Sequence, residues 1–199
     1  AFDVETVILP PVEHTTKTFE DVLDAIEREG CADVTVSVGN RYTFSEDCTF
    51  TVLGPVDTET DRNNCSVVLR MDYGETSFLF TGDAEKEAEE RMLQRNGREA
   101  LQADVLKVGH HGSSTSTSAE FLEAVSPSYG VISCGKDNKY GHPHQSALDR
   151  LSAAGVQVLR TDEMGTVILQ SDKEQIYAVG RTVETPLERY IAKLKNWVA

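Results

Sequence analysis

Several features are missing or scarce in this chain, and each absence narrows the reading. Cys31, Cys48, Cys65 and Cys134 form no C-x-x-C pair, which excludes a zinc ribbon or a thioredoxin-type motif. Such cysteines read by default as small buried hydrophobes, with a disulfide left open for an exported domain and its pairing undefined. Positive charge is short: 19 Lys and Arg stand against 33 Asp and Glu, a net charge of −14. That balance repels phosphate backbones and withholds the counterion release on which a basic nucleic-acid coat depends. It leaves room for an enzyme that meets a phosphodiester through divalent cations, which reverse the local sign of the field. No uncharged apolar run approaches the roughly 18 residues of a membrane span, and no basic and apolar leader opens the chain. Internal repeats and low-complexity tracts are absent as well. What remains, 39% hydrophobic and 26% charged over 199 residues, is ordinary globular composition for one or two domains.

Short β-rich runs alternate with amphipathic helices, the pattern of a layered α/β architecture. An apolar strand at residues 6–9 is broken by Pro10 and Pro11. A helix follows, capped by Thr18, with Phe19, Val22, Leu23 and Ile26 on one face and Gly30 as its stop. Residues 34–38 alternate as a strand, residues 41–56 read as short strands with turns, and residues 57–64 as a polar loop that approaches a site. Residues 66–72 and 76–80 flank Tyr73-Gly74-Glu75 as a hairpin, and residues 84–96 read as a helix ended by Gly97. Strands at 104–108, 129–133 and 156–160, separated by helices at 118–125 and 144–154, give βαβ units. Residues 165–170 and 175–179 read as closing strands. Thr185-Pro186 then opens an amphipathic helix with Leu187, Tyr190, Ile191, Leu194 and Trp197 on one stripe.

Four of the five histidines fall in two clusters, His110-His111 and His142-Pro143-His144, each following an apolar strand or the loop that leaves one. Thr81-Gly82-Asp83 ends a third buried strand. In α/β sheets the strand carboxyl ends face the ligand crevice, so Asp83, the histidine pair and the Gly-His-Pro-His loop are expected on one rim. A carboxylate with neutral imidazoles is a ligand set for Zn or Mn, and a carboxylate can bridge two ions where an imidazole cannot. Blander readings stand beside these: Asp83 as a helix cap, His-His-Gly-Ser as a turn with one satisfied histidine, and His144 as a first-turn residue. Pro143 suggests His142 as the N-cap of the next helix, whose positive end favours a phosphate. The acidic run from Glu85 to Glu90 reads as a solvated helix face, and His14 as a surface or turn residue. Ser113, Ser114, Thr115, Ser116 and Thr117 lack a G-x-S-x-G elbow and read as capping and loop-bonding groups.

Taken in order, Asn63-Asn64-Cys65-Ser66 before an apolar strand, Phe80-Thr81-Gly82-Asp83, Leu106-Lys107-Val108-Gly109-His110-His111-Gly112-Ser113, Tyr140-Gly141-His142-Pro143-His144, and Arg160-Thr161-Asp162 with Gly165 resemble the metallo-β-lactamase-fold domain of ComEC/Rec2-type DNA-uptake (competence) proteins. The resemblance covers about residues 5–170. It implies an α/β fold of αβ/βα sandwich type, missing its first strands, over residues 1–180, with residues 181–199 as a C-terminal amphipathic helix packed on the domain. It implies a metal-dependent hydrolase, a phosphodiesterase or nuclease acting through metal-activated water, with one or two Zn or Mn ions. Asp83 matches the family's bridging aspartate and His110 or His111 its later histidine ligand. His111 and His142 are the catalytic candidates, His142 first as a phosphate contact or proton donor. Two departures stand out. The family's leading His-x-(His/Asp/Ser)-x-Asp-His motif has no counterpart, so residues are expected before Ala1, and Asn63-Asn64 stand where other branches place a further histidine ligand. The resemblance further implies a phosphodiester partner, weakly held DNA among them, and a place outside a bacterial membrane beside a transmembrane channel domain, or else a soluble stand-alone relative. A degenerate, metal-poor domain with a binding or scaffold role in DNA uptake is the rival, and an esterase or lactonase of the same superfamily is a third reading.

Overall fold

A computed structural model describes residues 3–58 and 61–179. The helix expected from Pro186 lies outside the described residues. Three sheets form. A parallel pair joins β1 (Thr6–Leu9) to β2 (Ala32–Thr35), with α1 (Lys17–Glu29) between them. The cap of α1 is Thr16 rather than Thr18: its side chain accepts from Phe19 N at 3.4 Å, and Gly30 closes the helix at φ 72°. Both threonines fit the sequence signal, and position relative to the first turn decides between them.

The main sheet has seven strands in chain order: β3 (Arg41–Ser45), β4 (Cys48–Gly54), β5 (Val68–Tyr73), β6 (Thr76–Phe80), β7 (Val105–Lys107), β8 (Tyr129–Ile132) and β9 (Gln157–Arg160). Pairing is antiparallel from β3 to β6 and parallel from β6 to β9. Because β6 to β9 run in parallel, their carboxyl ends share one rim, and the residues after Phe80, Lys107, Ile132 and Arg160 meet there. A separate hairpin, β10 (Ile168–Ser171) and β11 (Ile176–Val179), is antiparallel.

Side chains alternate across the sheet as the pleat requires. Leu79, Leu106 and Ile132 point into a core closed by α2 (Lys86–Asn96), α3 (Arg98–Leu101), α4 (Ala119–Val125) and α5 (Gln145–Ala153), which contribute Met92, Leu101, Phe121 and Leu151. Phe78, Phe80, Val105, Lys107 and Val131 point the other way, into an apolar groove of about 640 Å³ bordered by Leu169 of β10. A short helix, α6 (Thr161–Met164), follows β9. All four cysteines are free, Cys48 and Cys65 buried, Cys31 and Cys134 half-buried. No helix among the described residues is long and apolar enough to cross a membrane.

The acidic run is a solvated face only in part: Glu87 is exposed and Glu90 half-buried. Glu89, on α2, is 1% exposed and accepts the backbone N–H groups of Thr117 and of Ser118, the latter at 2.9 Å. It thereby ties α2 to the start of α4, while Arg150 clamps the same loop by donating to the carbonyls of Thr117 and Ser116 at 2.8 Å each. Burial pushes the Glu89 carboxyl above its ordinary value, against the pull of those donors and of Arg150. Removing the acceptor in Glu89→Ala strands two buried donors and is expected to cost about 3 kcal/mol in urea unfolding. Since the folded carboxyl holds its proton more tightly than the unfolded one, stability from Glu89 falls as pH rises from 4.5 through the raised folded value. Glu89→Gln should flatten that fall across a pH series; an unchanged slope would contradict it.

Candidate functional site

The four parallel strand ends bring Asp83, His110, His111 and His142 to one rim, as the motif order suggests. Asp83 lies in the turn after β6. That turn is locked by Thr81 Oγ1 donating to Lys107 O at 2.9 Å, by His110 N donating to Gly82 O at 3.0 Å, and by Asp83 N donating to Ser66 Oγ at 3.0 Å. Gly82 is required: its φ is +56°, and a Cβ there would stand 2.9 Å from the Ser66 side chain. Asp83 caps no helix. The residue before α2 is Glu85, which turns its carboxylate inward.

Glu85 is the group that sequence reasoning missed. Its Oε1 accepts from Thr115 Oγ1 at 2.9 Å, from Asn63 Nδ2 at 3.3 Å and pairs with His110 Nδ1 at 3.0 Å. Asn64 Oδ1 accepts Glu85 N at 2.9 Å, and Asn64 Nδ2 donates to Glu87 at 3.0 Å. The polar loop therefore does reach the site, as expected, and its asparagines fasten the head of α2. A carboxylate behind a histidine sets the ring's tautomer and orientation: with Nδ1–H given to Glu85, His110 Nε2 carries the lone pair.

His111 is fixed the same way by a backbone group. Its Nδ1 lies 2.6 Å from Ser133 O, and because a carbonyl only accepts, Nδ1 carries the proton. Nε2, 3.4 Å from Asp83 Oδ1, is then an acceptor facing an acceptor whenever the ring is neutral. Two lone-pair groups aimed at each other at the mouth of a site are satisfied by a cation between them, a proton or a metal ion. The nitrogen and oxygen donors are of the type that takes Zn or Mn, and the pair, with His110 beside it, supplies part of such an ion's ligand set. Among the described residues no group of three or more His, Cys, Asp and Glu closes on one point.

The backbone that presents the pair is strained. His110 and His111 adopt φ of 45° and 57°, left-handed values that non-glycine residues rarely take, and Gly112 follows at 81°. The serine and threonine run holds this turn: Ser116 Oγ donates to Gly109 O at 2.7 Å, and Gly109 N donates to Thr117 Oγ1 at 3.2 Å. Across the rim, Cys134 N donates to Thr161 Oγ1 at 2.9 Å, and that hydroxyl donates to Cys134 O at 2.8 Å. Ser133 is thus held between two strand ends. Burial raises the Cys134 thiol, with Asp162 acting in the same sense.

His142 is not a helix cap. His144 precedes α5 and its ring is fully committed, Nδ1 accepting Ser114 N at 2.9 Å and Nε2 donating to Tyr140 O at 3.2 Å. The His142 ring instead packs among others, with centroids 5.6 Å from His110, 6.4 Å from His111 and 5.7 Å from Tyr140. Burial and then the neighbouring imidazoles hold His142 below the usual histidine value, with Asp83 opposing them. Lys107, also unflagged by the sequence, is half-buried beside the rim and donates to Val108 O at 2.9 Å; partial burial lowers its ammonium while Asp83 raises it. His14 bonds only within the loop before α1, to Thr16.

Residues 46–136 match the model of the metallo-β-lactamase superfamily. The chain is 41% identical over 165 residues to ComE operon protein 3 of Bacillus subtilis, covering 82% of this chain and 21% of that protein. It is 44% identical over 107 residues to competence protein ComA of Neisseria gonorrhoeae (54% of this chain, 15% of that one) and 40% identical over 119 residues to recombination protein 2 of Haemophilus influenzae (59% and 15%). The chain therefore spans about a fifth of the first relative's length and less of the others.

Gly112→Ala tests the geometry of the turn. Its Cβ would stand 2.7 Å from that of Pro143 at a φ closed to alanine, so a loss of about 2 kcal/mol in chemical unfolding is expected. A neutral outcome would show that the histidine turn does not need this conformation.

Proposed function

The chain belongs to the metallo-β-lactamase superfamily, and from that premise we propose that it is a metal-dependent hydrolase of phosphodiesters, a nuclease acting in DNA uptake. The observation that carries this reading is the facing pair of acceptors, His111 Nε2 and Asp83 Oδ1, 3.4 Å apart, at the ends of parallel strands. The names of the competence relatives support the biological setting.

Asp83 and His111 would hold the ion between them, with His110, oriented by Glu85, beside the pair. A bound divalent ion would supply an activated water and charge neutralisation at the phosphoryl oxygens. The chain's own residues then have separate tasks. Ser133 O keeps the His111 proton on Nδ1, so that Nε2 stays available at the rim. Glu85 does the same for His110. His142, held mostly neutral by burial and by its neighbours, still carries one N–H, and neither ring nitrogen has a hydrogen-bond partner among the described residues. We assign that N–H to a phosphate oxygen of the substrate. A net charge of −14 means that long-range attraction of DNA is weak and that local cations carry the contact.

One observation favours a second reading. Among the described residues only a pair of groups faces one point, which suits a metal-poor domain with a binding or scaffold role.

Titration calorimetry of the 199-residue chain with Mn²⁺ and with Zn²⁺ separates the two. The hydrolase reading expects a cation site that Asp83→Asn abolishes and that Glu85→Gln weakens by about 10- to 100-fold, the usual cost of losing the carboxylate behind a histidine ligand. Cleavage of a short single-stranded oligonucleotide should need the same site. Cation binding or cleavage undiminished in Asp83→Asn would overturn this assignment.

A further inference from the structure

The Arg160-Thr161-Asp162 run at the end of β9 makes no hydrogen bond to Asp83 or to the histidines among the described residues, yet it reaches them through the neighbouring strand. The ladder between β8 and β9 stops at the pair Ile132 and Arg160. Along a strand, successive residues direct their backbone groups to alternate neighbours. Val108 N donates to Val131 O at 2.9 Å and Gln157 N to Ser128 O at 3.0 Å, so odd-numbered residues of β8 face β7 and even-numbered ones face β9. Carried two residues past the ladder, this alternation turns Ser133 O toward the β7 side and the N–H and carbonyl of Cys134 toward the β9 side.

On neither side does a regular ladder bond follow. By the spacing of the Val108 bond, His110 N would come next to Ser133 O, but it donates to Gly82 O at 3.0 Å, which leaves Ser133 O for His111 Nδ1 at 2.6 Å. On the β9 side a side chain replaces the backbone: Cys134 N donates to Thr161 Oγ1 at 2.9 Å, and the same hydroxyl donates to Cys134 O at 2.8 Å. One hydroxyl, donor and acceptor at a single atom, thus stands in for a whole ladder step and keeps β8 extended through Ser133. The hydroxyl is itself well anchored. Arg160 donates to Asp162 through Nε at 3.1 Å and Nη2 at 2.6 Å, and its Nη1 pairs with Glu163 at 2.7 Å, which folds α6 back onto the end of β9. Threonine's β-branched side chain has few rotamers to choose from.

We propose that Thr161 is a positioning residue for the cation site: by closing on both backbone groups of Cys134 it holds Ser133 O on His111 Nδ1 and so keeps the His111 lone pair on Nε2, facing Asp83. The inference rests on the reading of the Asp83–His111 pair as a cation site, and adds the residue that sets the tautomer from one strand away. Serine preserves the double role of the hydroxyl, whereas valine, of nearly the same shape as threonine, loses it.

Nitrogen-15 NMR of the imidazole rings, on the metal-free chain in alkaline buffer where imidazoles are neutral, tests the tie without any ion present. The unaltered chain should carry the proton on Nδ1 of both His110 and His111. Thr161→Val should turn His111, wholly or in part, to the Nε2–H form and leave His110 unchanged, because Glu85 holds that ring from the other side. Thr161→Ser should keep both rings as they are. Calorimetry should find Mn²⁺ affinity about tenfold lower in Thr161→Val, the lower end of the cost of losing a partner behind a histidine ligand, and restored in Thr161→Ser. His111 keeping Nδ1–H in Thr161→Val, or both histidines shifting together as general loosening of the rim would produce, overturns the proposal. The unaltered chain supplies a second check: the Cys134 amide, though beyond the ladder, should be protected from hydrogen exchange, and exchange at the rate of an open loop would overturn the tie whether or not the valine variant folds. A change confined to the His111 tautomer in a chain that binds no Mn²⁺ removes the cation site and leaves the tie; Mn²⁺ binding with an unmoved tautomer removes the tie alone.

Discussion

Ser133 O, 2.6 Å from His111 Nδ1, decides which face of that imidazole meets the rim. A histidine free to choose its tautomer would turn a proton toward Asp83 and settle the pair as an ordinary N–H to carboxylate hydrogen bond. With the proton committed to a backbone carbonyl, two acceptors face each other and the site keeps a standing demand for positive charge. Glu85 imposes the same discipline on His110 from the other side. The chemistry proposed for this chain depends on these two partners more than on the ligands themselves.

Much of the surrounding structure serves to keep those partners in place. Ser133 follows β8 and is held by the reciprocal hydrogen bonds between Cys134 and Thr161, so a strand end one position further along the sheet braces it. Glu85 is gripped by Asn63, Asn64 and Thr115, from loops on both sides. Consecutive left-handed residues at His110 and His111 are unfavourable locally, and they persist because Gly82, Ser116 and Thr117 bond the turn from several directions. Glu89, buried one turn along α2 from Glu85, fixes that helix against the loop from which Thr115 projects.

The parts of this arrangement that were legible in the sequence are those encoded locally. Period-two runs bounded by glycine marked the strands, and the histidines and Asp83 stood out because each follows such a run. The illegible parts come from partners distant in the chain. Glu85 and Glu89 look like part of any charged helix face, and only the folding of residues 61–66 and 113–118 against α2 turns them inward. Asp83 and His142 each carried a plausible capping signal that the structure gives to Glu85 and His144, in each case two residues on. Periodicity places a helix within a turn but does not say which neighbour begins it. Ser133, which contributes only a carbonyl, left no side-chain signal to find, and Thr161 became notable only once its two hydrogen bonds to Cys134 were known.

The central claim is that the His111–Asp83 pair is a cation site, and its location is best read by anomalous X-ray scattering from crystals of the chain grown with Mn²⁺ or Zn²⁺. The account predicts an anomalous peak in contact with both Asp83 and His111 Nε2, with the His111 Nδ1 bond to Ser133 O retained. A peak on other residues, or His111 turned so that Nδ1 faces the ion, would contradict it.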